Sequence, residues 1–205
     1  MPIKFVDEAD LTTVGNAIRA KTGGSDLLTF PEGMAAAIAE ISGGGGDDGS
    51  FKAIIERTAT NPTLPSDLTK IGSFAFGDYN KLTMLSIPAG VTSIGNHAFD
   101  SCANLALTSL PVGVTNIGDY AFYSCSKLAL TEIPDGVTNI GSYAFRYCYA
   151  LTILTFRGTP IVLSQTAFQN CTKLTTINVP WAEGAVSGAP WGATNATINY
   201  NYTGG

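Results

Sequence analysis

The chain has 205 residues, of which 45% are apolar and 13% charged, and its formal net charge is −5. That is enough apolar material for the core of one domain or slightly more, and too little charge for a disordered chain. Its eleven basic residues are scattered among sixteen acidic ones, which excludes the clustered Lys and Arg that nucleic acid or an anionic membrane surface requires.

The opening stretch, MPIKFVDEADLTTVG, has no apolar run, so no signal peptide is expected. No segment approaches the roughly 18 uninterrupted apolar residues of a membrane span. Residues 1–42 predict a helical hairpin. Asp10 can cap a helix with Leu11, Val14 and Ile18 on one face. The glycines at 23 and 24 stop it, and Pro31 suits the first turn of a second helix carrying Met34, Ala37, Ile38 and Ile41. Two such helices bury too little to stand alone. A glycine-rich linker comes next at 43–50, and about eight such residues reach roughly 15 Å. The hairpin is read either as a docking module on a tether or as a cap on the rest of the chain.

Residues 51–180 read as a periodic segment with an N-terminal cap. Phe76, Phe99, Phe122, Phe145 and Phe168 stand 23 residues apart, each preceded by Ala. Ile71, Ile94, Ile117, Ile140 and Leu163 keep the step, as do Leu82, Leu105, Leu128, Leu151 and Leu174. The column Pro65, Pro88, Pro111, Pro134 is broken by Arg157 and restored by Pro180. An uninterrupted period of this kind predicts a solenoid, in which each unit buries its apolar face against the next. Within a unit, Leu82, Leu85 and Ile87, or Leu174, Ile177 and Val179, have the spacing of a leucine-rich-repeat strand. Pro closes the strand. A turn such as GVTNIG comes after it, and DYAFYSC is expected to return as a short helix, with Asp119 or Ser142 as N-caps. The fold class expected is therefore an α/β solenoid of about five rungs, with strands on one face and short helices on the other. Residues 181–205 leave the period, and Trp181 and Trp191 are expected to cap the open core.

LPVGVTNIGDYAFYSCSKLALTEIPDGVTNIGSYAFRYC resembles the BspA-type leucine-rich repeat, a bacterial variety. The resemblance implies a curved solenoid used for binding, often in surface proteins and adhesins, with no catalytic activity and no cofactor. Residues 10–41 and the flanks of the repeats are similar to phage and prophage tail-associated proteins of Gram-positive gut bacteria. That implies a tail component that recognises a host-surface protein or glycan, with tail or baseplate proteins bound through the hairpin. It would remain cytoplasmic until assembly or release, then be virion-borne or at an extracellular surface. A bacterial surface adhesin and a structural assembly protein are the alternatives.

The residues offer no enzyme. There is no serine elbow, no paired-carboxylate spacing and no phosphate loop, and His97 is the single histidine. Cys102, Cys125, Cys148 and Cys171 share one column, filled by Tyr79 in the first rung. Their spacing of 23 is wrong for a metal site and suits small buried hydrophobes. Tyr120, Tyr123, Tyr143, Arg146, Tyr147 and Tyr149 crowd the third and fourth rungs. They are read either as a binding patch or as rings packed between rungs. Met84, Leu107, Leu130 and Ile153 would form an exposed apolar stripe if the strands keep one register. Thr108 and Thr131 then face the core in rungs two and three, unless Leu107 and Leu130 replace them there through a local shift.

Overall fold

The computed structural model describes residues 60–64, 66–159 and 161–204. The expected hairpin and linker lie outside the described residues. What is described is a coil of parallel strands, with no helix among the described residues.

Five two-residue strands make the first sheet: β1 (Lys70–Ile71), β2 (Ser93–Ile94), β3 (Asn116–Ile117), β5 (Asn139–Ile140) and β7 (Val162–Leu163). All neighbours are parallel, and each pairs residues 23 apart, as in Ile71 with Ile94 and Ile117 with Ile140. The second sheet has β4 (Glu132–Ile133), β6 (Ile153–Phe156), β8 (Thr176–Asn178) and β9 (Thr197–Asn199). A rung therefore runs from a first-sheet strand, through a stretch of turns, to the second-sheet position.

The expected short helix is replaced by a ribbon of turns. Amides alternate between two partners. Ala75, Gly77 and Tyr79 donate three residues back within their own rung, at 3.0–3.3 Å. Phe74, Phe76 and Asp78 donate across to Asn96, Ala98 and Asp100 of the next rung, at 2.7–2.9 Å. The same pattern recurs at Tyr120, Phe122 and Ser124. Positive φ recurs twice per rung, at Phe74 and Asp78, His97 and Ser101, Tyr120 and Ser124, Tyr143 and Tyr147. Each such residue costs about 1 kcal/mol or more, and breaks any helix. Seven residues are too few to hold a helix alone, and here every second amide finds a carbonyl on the neighbouring rung. The cap assignment changes accordingly. The Asp119 carboxylate accepts from the Ser142 amide one rung on, at 2.7 Å, and the Asp119 amide donates to the Asn96 side chain at 2.9 Å. Rungs approach so closely here that a Cβ on Gly118 would meet the Asn96 backbone nitrogen at 2.7 Å.

The core is a set of parallel ladders. Phe76, Phe99, Phe122, Phe145 and Phe168 stack at 5.2–5.3 Å, with ring planes within 11°. The cysteine column lies buried beside them. Leu64, Ile87, Leu110, Ile133, Phe156 and Val179 form another buried column at the same step of 23. Thr108 and Thr131 are exposed, whereas Leu107 and Leu130 are buried at 8% and 1%. The local shift is therefore what occurs in rungs two and three, and the continuous apolar stripe does not exist. A hydroxyl buried without a partner costs about 1–3 kcal/mol, so the neighbouring Leu turns inward instead.

The C-terminal segment continues the coil instead of leaving it. Phe168 donates its amide to the Trp191 carbonyl at 2.9 Å, and Trp191 stands 23 residues after Phe168. β9 pairs with β8 through Thr176–Thr197 and Asn178–Asn199, a step shortened to 21. This adds a sixth, abbreviated rung. Trp181 and Trp191 are buried, and Phe156 meets both at 5.4 and 6.4 Å.

Candidate interaction surface

The ribbon of turns carries two aromatic rows. The inner row is the Phe stack of the core. The outer row begins two residues earlier, because residues 74 and 76 of one rung face opposite ways: Phe74 is 42% exposed and Phe76 is 3% exposed. Phe74 stacks on His97 at 4.6 Å and 5°, and His97 on Tyr120 at 4.7 Å and 4°. Tyr120 meets Tyr143 at 5.1 Å with the planes tilted by 36°.

A second set of rings joins this row on the third and fourth rungs. Tyr123 touches Tyr120 at 5.6 Å and Tyr147 edge-on at 5.5 Å, and Tyr149 lies 6.0 Å from Tyr147. The Arg146 guanidinium carbon lies over the rings of Tyr147, Tyr143 and Tyr123 at 4.6, 5.1 and 6.0 Å. Its Nη2 donates to the Tyr147 hydroxyl at 2.9 Å. The structure thus gathers Tyr120, Tyr123, Tyr143, Arg146, Tyr147 and Tyr149 into one half-exposed patch. The two readings of these rings merge, since they pack between rungs and still face outward.

Phe74 and His97 belong to this surface and were missed as members. The signal was present, since they share a column with Tyr120 and Tyr143 at the period of 23. His97 is no isolated residue: its Nδ1 pairs with Asp100 Oδ2 at 2.7 Å, and the Ser101 hydroxyl donates to the other oxygen at 2.9 Å. Beside Arg146, two atoms are buried without a hydrogen-bond partner among the described residues, Arg146 Nε and Gln169 Oε1. Gln169 follows Arg146 in the same column.

The other candidates do not join the patch. Met84 and Ile153 are 64% and 50% exposed on the second sheet face, but Leu107 and Leu130 between them are buried. An open depression of about 600 Å3 is lined by Asp135, Arg157, Gly158, Thr159, Pro180 and Trp181. Arg157, which breaks the proline column, is ion-paired with Glu132. A hydrogen bond from Arg157 holds the Glu132 carboxyl below the usual range, and the same bond raises the Arg157 guanidinium. The Trp181 ring is 5% exposed, so it offers no stacking face to that depression.

The cysteines have an unforeseen role. Each thiol donates to a Phe carbonyl of the preceding rung: Cys102 to Phe76, Cys125 to Phe99, Cys148 to Phe122 and Cys171 to Phe145, at 2.9–3.1 Å. Burial pushes the Cys125 and Cys148 thiols well above their ordinary value and Cys171 up to about 12. At neutral pH these three are protonated donors, not nucleophiles. Among the described residues no three His, Cys, Asp or Glu gather as a metal site, and no helix is long and apolar enough to cross a membrane.

Comparison with known proteins reproduces this architecture. No curated protein matches the chain. The T. pallidum leucine-rich repeat protein is similar in structure, with a TM-score of 0.60, 28% identity and 70% of each chain covered. A leucine-rich repeat protein from Bacteroides ovatus ATCC 8483 has 31% identity and a TM-score of 0.48, over 60% of this chain and 32% of its own. The pneumococcal vaccine antigen PcpA shares the fold at 20% identity and a TM-score of 0.53, over 69% of this chain and 41% of that one. This chain thus spans less than half of those last two proteins. The BspA type leucine-rich repeat region matches residues 50–181 in six copies, and the chain belongs to that family.

Proposed function

We propose that this chain is a non-enzymatic recognition protein acting at a cell surface, and that the outer face of the turn ribbon is its binding face. A solenoid of this repeat family supports a protein-interaction or surface role. The observation that carries the assignment to the ribbon is the continuous outward row from Phe74 to Tyr149, centred on Arg146. Tyr and Arg give large contact area at small entropic cost, and they dominate binding hot spots. The partner is a protein or a glycan displayed on a cell.

Adhesion is a finer reading compatible with this repeat family. The PcpA likeness bears on the fold alone. A tail-associated role rests on the flanks of the repeats and on residues 10–41, the latter outside the described residues and outside the matched repeats. Binding of the labelled full-length chain to intact Gram-positive gut bacteria tests the proposal. Tyr123→Ala with Tyr147→Ala should remove most of the binding, whereas Met84→Ala with Ile153→Ala should leave it. The opposite pattern moves recognition to the second sheet. Absence of binding to any cell ends the surface reading and favours a structural assembly role.

A further inference from the structure

We infer that the patch around Arg146 takes a carboxylate-rich, extended segment of a partner protein. This rests on the reading of the ribbon as the recognition face and names the chemistry that face selects.

The first reason is the state of the guanidinium. Among the described residues the ion pair is Arg157 with Glu132, and the Asp100 carboxylate is hydrogen-bonded by His97, so no carboxylate there pairs with Arg146. A chain with net charge −5 therefore presents a cation whose neighbours are rings. The acids of the ribbon are committed or distant in the ladder. Asp100 is held by His97 and Ser101, Asp119 accepts from the Ser142 amide, and Asp78 stands three rungs before Arg146. The Arg146 Nε is buried, so an incoming group meets the Nη atoms, of which Nη2 also donates to the Tyr147 hydroxyl. A guanidinium presents a fork of donors that matches a carboxylate, and a charge-assisted bond there is stronger than a neutral one.

The second reason is the orientation of the rings. Phe74, His97 and Tyr120 stack within 5° along the coil, so their faces cover one another. One face each of Tyr143 and Tyr147 lies under the guanidinium. Where faces are covered in this way, ring edge, the electropositive rim of the quadrupole, is what can turn outward. A sugar that needs an aromatic face for stacking finds few here, whereas a carboxylate meets edges of the favourable sign. Lys127 and Lys173 are exposed on the rungs either side of Tyr149, each one position past its column. They extend the positive region along the ribbon and steer an acidic partner toward it.

Fluorescence anisotropy of labelled poly-L-glutamate against the full-length chain tests this, with poly-L-glutamine and polygalacturonate as comparators. The expected result is binding of poly-L-glutamate that falls with added salt, as exposed charge pairs require, with poly-L-glutamine not binding. Arg146→Gln should weaken it about tenfold. Arg146→Lys keeps the charge without the fork and should fall between. Arg157→Gln, outside the ribbon, should change nothing. Near-ultraviolet circular dichroism shows that each variant is folded, and the lysine variant keeps the test open if the glutamine variant is not. Equal binding by wild type and both Arg146 variants overturns the inference, as does no binding of poly-L-glutamate. Binding of polygalacturonate in its place replaces the protein segment with an anionic glycan. Cell binding that needs Tyr123 and Tyr147 but resists competition by poly-L-glutamate sinks this inference alone. Cell binding that ignores both tyrosines sinks the recognition face itself.

Discussion

Two aromatic stacks run side by side through the same rungs, and they differ in what holds them. The inner one is Phe in every rung from Phe76 to Phe168, with nearly constant spacing and buried throughout. The outer one, two residues away in each rung, changes from Phe74 to His97 to Tyr120 to Tyr143, and its planes open from 4° to 36° as it reaches Arg146. One backbone geometry imposes both rows. Enclosure forces uniformity inside, because any change of volume is felt by the rungs above and below. Outside, the backbone supplies the spacing and leaves side-chain chemistry free to vary. A repeat thus separates the residues that hold the coil from those that give it a use.

The sharpest way to break the inner row is Phe122→Ala, which opens a cavity between two rings. It should cost about 4 kcal/mol of stability in denaturant unfolding. Gly118→Ala comes next, because its Cβ would lie 2.7 Å from the Asn96 nitrogen, and about 2 kcal/mol should be lost on the same measurement. Tyr120→Ala, in the outer row, should cost only about 1 kcal/mol while reducing cell binding far more than Gly118→Ala does. That dissociation between stability and binding is the comparison in its testable form. Phe122→Ala and Tyr120→Ala having equal effects on both readouts would end it.

The smallest effect is expected at Glu132→Gln, on neither row. Its folded carboxyl titrates below the unfolded one because Arg157 hydrogen-bonds it. The stabilisation is present above the unfolded value and is lost as pH falls through the folded one. Thermal unfolding should therefore separate wild type from Glu132→Gln slightly at neutral pH and not at all in strong acid. Both partners are well exposed, so solvent screening keeps the difference small.

Most of the inner architecture was legible in the sequence, because a buried column at fixed spacing leaves few alternatives. The period, the Phe, Ala and Cys columns and the parallel coil were all readable that way. Three features were not. The segment from Asp119 to Cys125 looked helical because local pattern does not show a hydrogen-bond partner 23 residues away. Leu107 and Leu130 looked exposed because a period fixes positions, not which of two neighbours turns inward. The sixth rung was overlooked because its second-sheet step is 21, although Trp191 keeps the full 23 from Phe168. The candidate patch was half legible: its tyrosines and Arg146 stood out by type, whereas the stacking of His97 between Phe74 and Tyr120 needed the backbone.

The alternation of amides along the ribbon has a consequence for spacing. Half of its turn bonds close within a rung and half tie it to the next, so outward side chains of one column sit on a ladder with steps of roughly one strand separation, about 4.8 Å. Any ligand that touches two rungs must match that pitch. The surface is in effect a graduated scale. Inserting or deleting one unit of 23 residues would lengthen or shorten the scale by a single mark, and every other mark would keep its place.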